Sequence, residues 1–197
     1  MDTWPPIVGP KLDEDGFWKF FEKACLNAVE LFERDGEHAA MIFLFSPQGT
    51  VLVPWALMET EIRRQKPDID DQTVNEGLWG LVNQAAERVD ASGYVHILEA
   101  WAASIPLNGD RWRESFDRWK ERHPGSIEEI STRVEVLMVR AVWKDRQMNR
   151  SWSINRRDSG VYLSRGPIWS EERQQFSLDE VSNASRLDRI IRESASL

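Results

Sequence analysis

Three histidines and the 33 acidic residues of this sequence are the side chains to consider first for acid–base chemistry. His96 and Glu99 lie close together in the stretch "YVHILEAWAAS", and histidine with a carboxylate is a common general acid–base arrangement. The apolar composition of the stretch predicts a β-strand. Side chains alternate along a strand, so His96 and Glu99 should point to opposite faces of the sheet. The sequence therefore argues against a His96–Glu99 dyad.

Glu99 by itself needs a partner or a function, because an unpaired carboxylate among apolar strand residues is costly. Arg140 interrupts the apolar face of the later stretch "RVEVLMVRAVW". We predict a structural Glu99–Arg140 ion pair; exposure at the strand end and catalysis or ligand binding are the alternatives. If the protein were an enzyme, His96, Glu135 and His38 would be the further catalytic candidates.

The sequence lacks the residue spacings that metal sites and cofactor sites require. His38, with Glu37 beside it, and His96 could gather as metal ligands, but neither "HxH" nor "HExxH" occurs. Cys25 is the only thiol, and we interpret it as a small buried hydrophobic residue. The motifs of zinc-dependent deaminases, JAB-type metalloproteases, phosphate loops and nucleophile elbows do not occur either. We therefore predict no metal site and no cofactor.

The charge is spread unevenly over a chain whose net charge is −8. Residues 1–110 hold 8 basic and 19 acidic side chains, a balance of −11, whereas residues 140–165 hold 7 basic and 2 acidic ones, a balance of +5. We predict that this late segment presents a basic face for binding; an ordinary solvated hairpin is the alternative. The predicted binding residues are Arg140, Arg150, Trp152, Arg156 and Arg157.

Nucleic acid is an unfavourable partner for such a charge distribution. Arginines interleaved with Trp152 and Tyr162 suit a strand that stacks bases. The acidic body, however, repels a polyanion beyond a screening length of about 8–10 Å. We predict no sequence-independent binding of DNA or RNA. The ten tryptophans are scattered, which indicates core anchors, with exposure of two or three at a partner interface as the alternative.

The hydrophobic pattern predicts one α+β domain over residues 1–197. We expect a mixed sheet of about six strands, formed by a hairpin at "SPQG", a crossover strand and a C-terminal antiparallel meander. Three to four helices should pack on this sheet. Residues 1–12 are predicted to be an extended N-terminal arm, and residues 178–197 a short C-terminal helix or tail.

A series of short stretches extends over about residues 37–170: "GEHAAMIFLF", "GTVLVPW", "YVHILEAWAAS", "RVEVLMVRAVWKD", "SWSINRRDSG" and "GPIW". In these the chain resembles a loose group of uncharacterised bacterial and phage proteins that share a hairpin, an "EAW"-type strand and a late meander. The resemblance implies an architecture but no activity.

Function and location follow as expectations from these patterns. No basic segment followed by an apolar run begins the sequence, and the apolar stretches are short, which predicts a cytoplasmic protein with no membrane contact. We expect a non-enzymatic module that binds another protein, with homo-oligomerisation left open. The alternative is an enzyme of unrecognised type, a hydrolase or nuclease that uses strand-borne Glu99.

Overall fold

A computed structural model describes residues 6–102, 134–157, 160–164, 166, 169–173 and 191 of the 197-residue chain. The described residues form eight strands and three helices, which confirms the predicted α+β class. In chain order these are β1 (Ile7–Gly9), α1 (Glu14–Asp35), β2 (Met41–Ser46), β3 (Gly49–Val53), α2 (Trp55–Gln65), α3 (Asp71–Val89), β4 (Gly93–Ala102), β5 (Val134–Trp143), β6 (Arg146–Arg157), β7 (Gly160–Leu163) and β8 (Trp169–Arg173).

The strands form a single sheet in the order β1-β3-β2-β4-β5-β6-β7, and β8 pairs with β6 beside β7. All pairings among the described strands are antiparallel, so the sheet is antiparallel rather than mixed. The segment containing α2 and α3 joins β3 to β4, and these two strands run in the same direction. Because β2 lies between them, they do not pair with each other, and this crossover adds no parallel pairing to the sheet. The predicted hairpin (β2–β3) and meander (β5–β6–β7) are both present.

Helix α1 covers one face of the sheet, which we call the α1 face. Its core stripe consists of Phe17, Phe21, Ala24, Ala28 and Phe32, which are buried against apolar residues of β4, β5 and β6. The sequence offers Asp13 or Asp15 as the N-cap of this helix, and in the structure Asp13 accepts a hydrogen bond from the Gly16 amide at 2.8 Å. It ends at Gly36, whose φ of 77° suits glycine.

Helices α2 and α3 cover the opposite face, which we call the α3 face. Val74, Leu78, Val82 and Val89 of α3 are buried there against apolar residues of β2, β3 and β4. The sequence offers Asp70 or Asp71 as the N-cap of α3, and in the structure Asp70 accepts a hydrogen bond from the Thr73 amide at 2.9 Å. The helices thus cover the central strands on both faces of the sheet. Because side chains alternate along a strand, successive residues of one strand belong to two separate hydrophobic cores, one on each face.

The predicted terminal segments are described only in part. Within the arm at residues 1–12, Ile7–Gly9 forms an edge strand that pairs with β3. The predicted C-terminal segment 178–197 lies outside the described residues except for Ile191, which is buried in the α3-face core. The stretch "PLNGDRWRESFDRWKERHPG", in which the spacing of Trp112, Phe116 and Trp119 predicts an amphipathic helix, also lies outside them. None of the described helices has the length and apolar character that crossing a membrane requires.

Candidate functional site

The register of β4 and β5 separates the two residues of the "HILE" stretch. His96 lies opposite Arg140, and Glu99 lies opposite Leu137. His96 and Arg140 therefore belong to the α3 face, whereas Glu99 and Leu137 belong to the α1 face. The argument against a His96–Glu99 dyad is confirmed. The predicted Glu99–Arg140 pair is wrong, because this register puts the two side chains on opposite sides of the sheet.

Glu99 is nevertheless ion-paired, and its partner is Arg156 of β6. The distance from Arg156 Nη2 to Glu99 Oε2 is 2.9 Å, and that from Arg156 Nη2 to Glu135 Oε1 is 2.8 Å. Arg156 Nε donates to both Glu135 oxygens, and Arg156 Nη1 donates to the Gly36 carbonyl at 3.3 Å. This Arg156 cluster ties β4, β5, β6 and the end of α1 together. The hydrogen bond to Glu135 is the main cause that raises the pKa of Arg156.

His38 meets Glu99 through its backbone rather than its ring. The His38 amide donates to Glu99 Oε1, and ring Nδ1 lies 2.8 Å from the Ala39 carbonyl oxygen, which makes Nδ1 the protonated nitrogen. Burial lowers the pKa of His38, against smaller opposing effects of the Ala39 hydrogen bond and the Glu99 charge. The ring is therefore neutral at pH 7, with Nε2 as an acceptor. Glu99 and His38 do not form an acid–base pair.

His96 is a core residue of the α3 face. Its ring centroid lies 6.0 Å from that of Trp55 and 5.6 Å from that of Trp79, and 7% of the residue is exposed. Burial, and to a smaller extent the Arg140 charge, lowers the pKa of His96 to about 3. Arg140 Nη2 donates to Gln147 Oε1 at 3.1 Å. A histidine that stays neutral in an aromatic enclosure fits packing better than proton transfer.

The predicted basic face is divided between the two sides of the sheet. Arg150 Nη2 lies 2.6 Å from Glu22 Oε1 of α1, and Trp152 is buried in the α1-face core. Arg157 has the opposite parity, is exposed, and lies over the Tyr162 ring at 5.4 Å. Arg150, Trp152 and Arg156 thus point toward α1 and the sheet, where acidic residues neutralise the arginines. They do not form one basic surface with Arg157, because strand alternation separates them.

A pocket of about 310 Å³ lies on the α1 face, between α1 and strands β2 and β4. We call it the α1 pocket. Its apolar lining includes Phe20, Ala24 and Leu31 of α1 and Met41, Phe43 and Ile97 of the sheet. Phe20, Leu31, Met41 and Phe43 are only half-buried. The volume is at the lower end of the range of about 300–1,000 Å³ that is typical of ligand pockets.

The pocket exists because α1 lies to one side of the sheet. Among the described elements, α1 packs mainly over β5 and β7, so these elements cover the part of the α1 face formed by β2 only incompletely. The sequence contains a partial signal for this. Phe20 and Leu31 lie at helical spacing on one flank of the core stripe, with the polar Asn27 between them, so the apolar arc is wider than the sheet contact needs.

The described lining of the pocket includes three polar residues: Lys23 and Asn27 of α1, and His38 after its end. Lys23 is the only charged side chain among the described lining residues, and none of these is acidic. Within the described part of the chain, no group of three His, Cys, Asp or Glu residues could hold a metal ion. The pocket can therefore bind an apolar group and offer one cation and one amide beside it.

Comparisons of the chain with protein-family models, with curated proteins and with solved structures found no significant match. The resemblance of residues 37–170 to uncharacterised bacterial and phage proteins stays a prediction.

Proposed function

We propose that this protein is a non-enzymatic binding module that holds an apolar side chain of a partner protein in the α1 pocket. The observation that carries the proposal is the pocket itself, an apolar depression between a capped helix and two central strands. Protein interfaces obtain much of their affinity from a few large side chains that insert into such pockets. Half-buried apolar side chains, such as Phe43 and Leu31, gain further burial when an anchor side chain covers them.

An enzymatic function receives less support from the same geometry. Each oxygen of Glu99 accepts a hydrogen bond, one from the His38 amide and one from Arg156. Glu135 is held by the Arg156 guanidinium in the same cluster. A general base must reach a substrate proton, and carboxylates engaged in this way are poorly placed to do so. A hydrolase or nuclease that uses these residues is therefore our second candidate.

The charge arrangement also favours a protein over a nucleic acid. Arg150 and Arg156 already form ion pairs with Glu22, Glu99 and Glu135, so they offer little free positive charge to phosphates. A cytoplasmic location is part of the proposal. What supports it is that Cys25, the single cysteine, is a buried free thiol, so the chain has no internal disulfide of the kind common in oxidising compartments.

The test compares the wild-type protein with a variant whose pocket is blocked. Asn27→Trp puts a large ring at the exposed rim of the pocket without changing a core residue. Leu26→Trp is the matched control, because Leu26 is 72% exposed on the same helix and does not line the pocket. Both variants should unfold at the same urea concentration as the wild-type protein.

A random-peptide library displayed on phage is then selected against all three proteins. We expect the wild-type protein and Leu26→Trp to enrich the same peptides, with a large apolar residue at one position, and Asn27→Trp to lose them. Equal enrichment on Asn27→Trp, or no enrichment on the wild-type protein, would contradict the proposal. Hydrolysis of an ester, peptide or nucleic-acid substrate that is abolished by Glu99→Gln would favour the enzyme instead.

A further inference from the structure

The α1 pocket has a charged rim on its helical side. Lys23 lines the pocket, and Asn27 lies one turn further along the same strip of α1. Lys19, one turn before Lys23, is exposed on this side as well. Glu30, the next acidic residue there, is two turns beyond Lys23 and does not line the pocket. In a chain of net charge −8, a pocket whose described lining holds a cation and no acid is a local exception.

The hydrogen-bond donors of the rim are complementary to an anion. The Lys23 ammonium offers three donors and no acceptor, and the Asn27 amide adds two donors beside its one acceptor oxygen. Because His38 is neutral and its Nδ1–H is engaged by the Ala39 carbonyl, it adds no second cation to the lining. A carboxylate beside the apolar floor would therefore meet donors from α1 without facing a lining acid.

We propose that the partner segment held in the α1 pocket carries an acidic residue next to its apolar anchor, with the carboxylate bound by Lys23 and the Asn27 amide. The inference rests on the proposed function and specifies the chemistry of the partner. A basic residue at that position of the partner would face Lys23 at close range and be rejected. The pocket thus selects an apolar–acidic pair rather than any apolar side chain.

The acidic body of the protein has a consequence for kinetics. The net negative charge opposes the approach of an acidic segment, although salt with a screening length of about 8 Å weakens this long-range repulsion, whereas Lys23 acts at contact distance. Selectivity for the acidic residue should therefore appear mainly in the dissociation rate, not in the association rate.

The experiment uses the peptides enriched by the random library on the wild-type protein, with Lys23→Glu and Lys19→Glu as matched charge reversals. Both lysines are exposed on α1, but only Lys23 lines the pocket. We expect the enriched peptides to carry aspartate or glutamate beside the apolar position. In fluorescence polarisation, Lys23→Glu should weaken their binding about 3- to 10-fold, and Lys19→Glu less than about 2-fold. Selection on Lys23→Glu should prefer lysine or arginine at the same position.

Each other outcome has a defined meaning. Peptides with an apolar anchor but no acidic preference, and with equal affinity for Lys23→Glu, overturn this inference and leave the proposed function standing. No enrichment of the wild-type protein over Asn27→Trp overturns both. A wild-type dimer in light scattering that becomes a monomer in Asn27→Trp would identify a second copy as the occupant, which also overturns the inference.

Discussion

Glu99 of β4 and Arg156 of β6 meet across β5, with 2.9 Å between Glu99 Oε2 and Arg156 Nη2, although 57 residues separate them in the chain. Glu135 of the intervening strand shares the same guanidinium at 2.8 Å. The side chains of Glu99 and Glu135 are 21% and 20% exposed, so both carboxylates are largely removed from water. Arg156 therefore balances two nearby negative charges at one end of the sheet.

Replacement of Arg156 should leave these two carboxylates without their cation. We expect Arg156→Met to lower the free energy of unfolding by about 1–3 kcal/mol, because partly buried charges lose their hydrogen bonds. Arg157→Met is the control, since Arg157 is exposed and its guanidinium contacts the Tyr162 ring; its effect should stay within about 0.5 kcal/mol. Urea denaturation at pH 7 measures both variants. Equal stability of the two would show that the Arg156 cluster is not a stabilising contact.

The pKa of His96 predicts how the free energy of unfolding depends on pH. Its pKa is about 3 in the folded protein and has its ordinary value of 6.5 when the chain is unfolded. Between these two values the unfolded state binds the proton and the folded state does not. The free energy of unfolding therefore falls as the pH falls through this window, and is not reduced by His96 above it. From pH 7 to pH 5 the loss caused by His96 should be about 2 kcal/mol.

The measurement is urea denaturation of the wild-type protein and of His96→Phe at both pH values. The variant should lose about 2 kcal/mol less than the wild-type protein over this interval. The comparison uses the difference between the pH values, so a packing cost of the new ring cancels. His38, whose pKa is also lowered, contributes equally to both proteins. Parallel losses in the two proteins would refute the assignment of His96 as a buried neutral residue.

Gly77 and Gly80 of α3 are expected to weaken their helix. Glycines three residues apart on a helix often permit close approach of a neighbour, but both of these are exposed, and an added Cβ would meet no described atom within 4 Å. Gly77→Ala and Gly80→Ala should each raise the free energy of unfolding by about 0.5–1 kcal/mol. Thermal unfolding followed by circular dichroism gives the change. A destabilised variant would indicate a contact at that position which the glycine does permit.

Cys25 should be chemically inert in the folded protein. It is 2% exposed, and burial raises the pKa of its thiol to about 12, even though the nearby Arg150 charge lowers it. At pH 8 the thiolate fraction is then about 1,000-fold smaller than for a cysteine of ordinary pKa. We expect the Ellman reagent to modify Cys25 in urea within seconds and in buffer only at the rate of unfolding. Rapid modification in buffer would show that the α1–sheet contact opens locally.

Local features of the sequence determined the helices and the parity of β4. Helix ends depend on residues close to them in the chain, so the sequence indicates Gly36 as the end of α1 and offers two aspartates for the start of each helix, of which the structure uses Asp13 and Asp70. Alternation likewise operates between neighbouring residues, and it assigns His96 and Glu99 to opposite faces without reference to a partner strand.

Only the tertiary structure decided which residues of neighbouring strands lie opposite each other. The β4–β5 register put Arg140 opposite His96, and the β5–β6 pairing carried Arg156 toward Glu99; both depend on residues far apart in the chain. The α1 pocket has the same origin, because it results from the lateral position of α1 over the sheet. Periodicity states which side of a helix or strand is apolar, but packing over the whole core sets the register and the offset between elements.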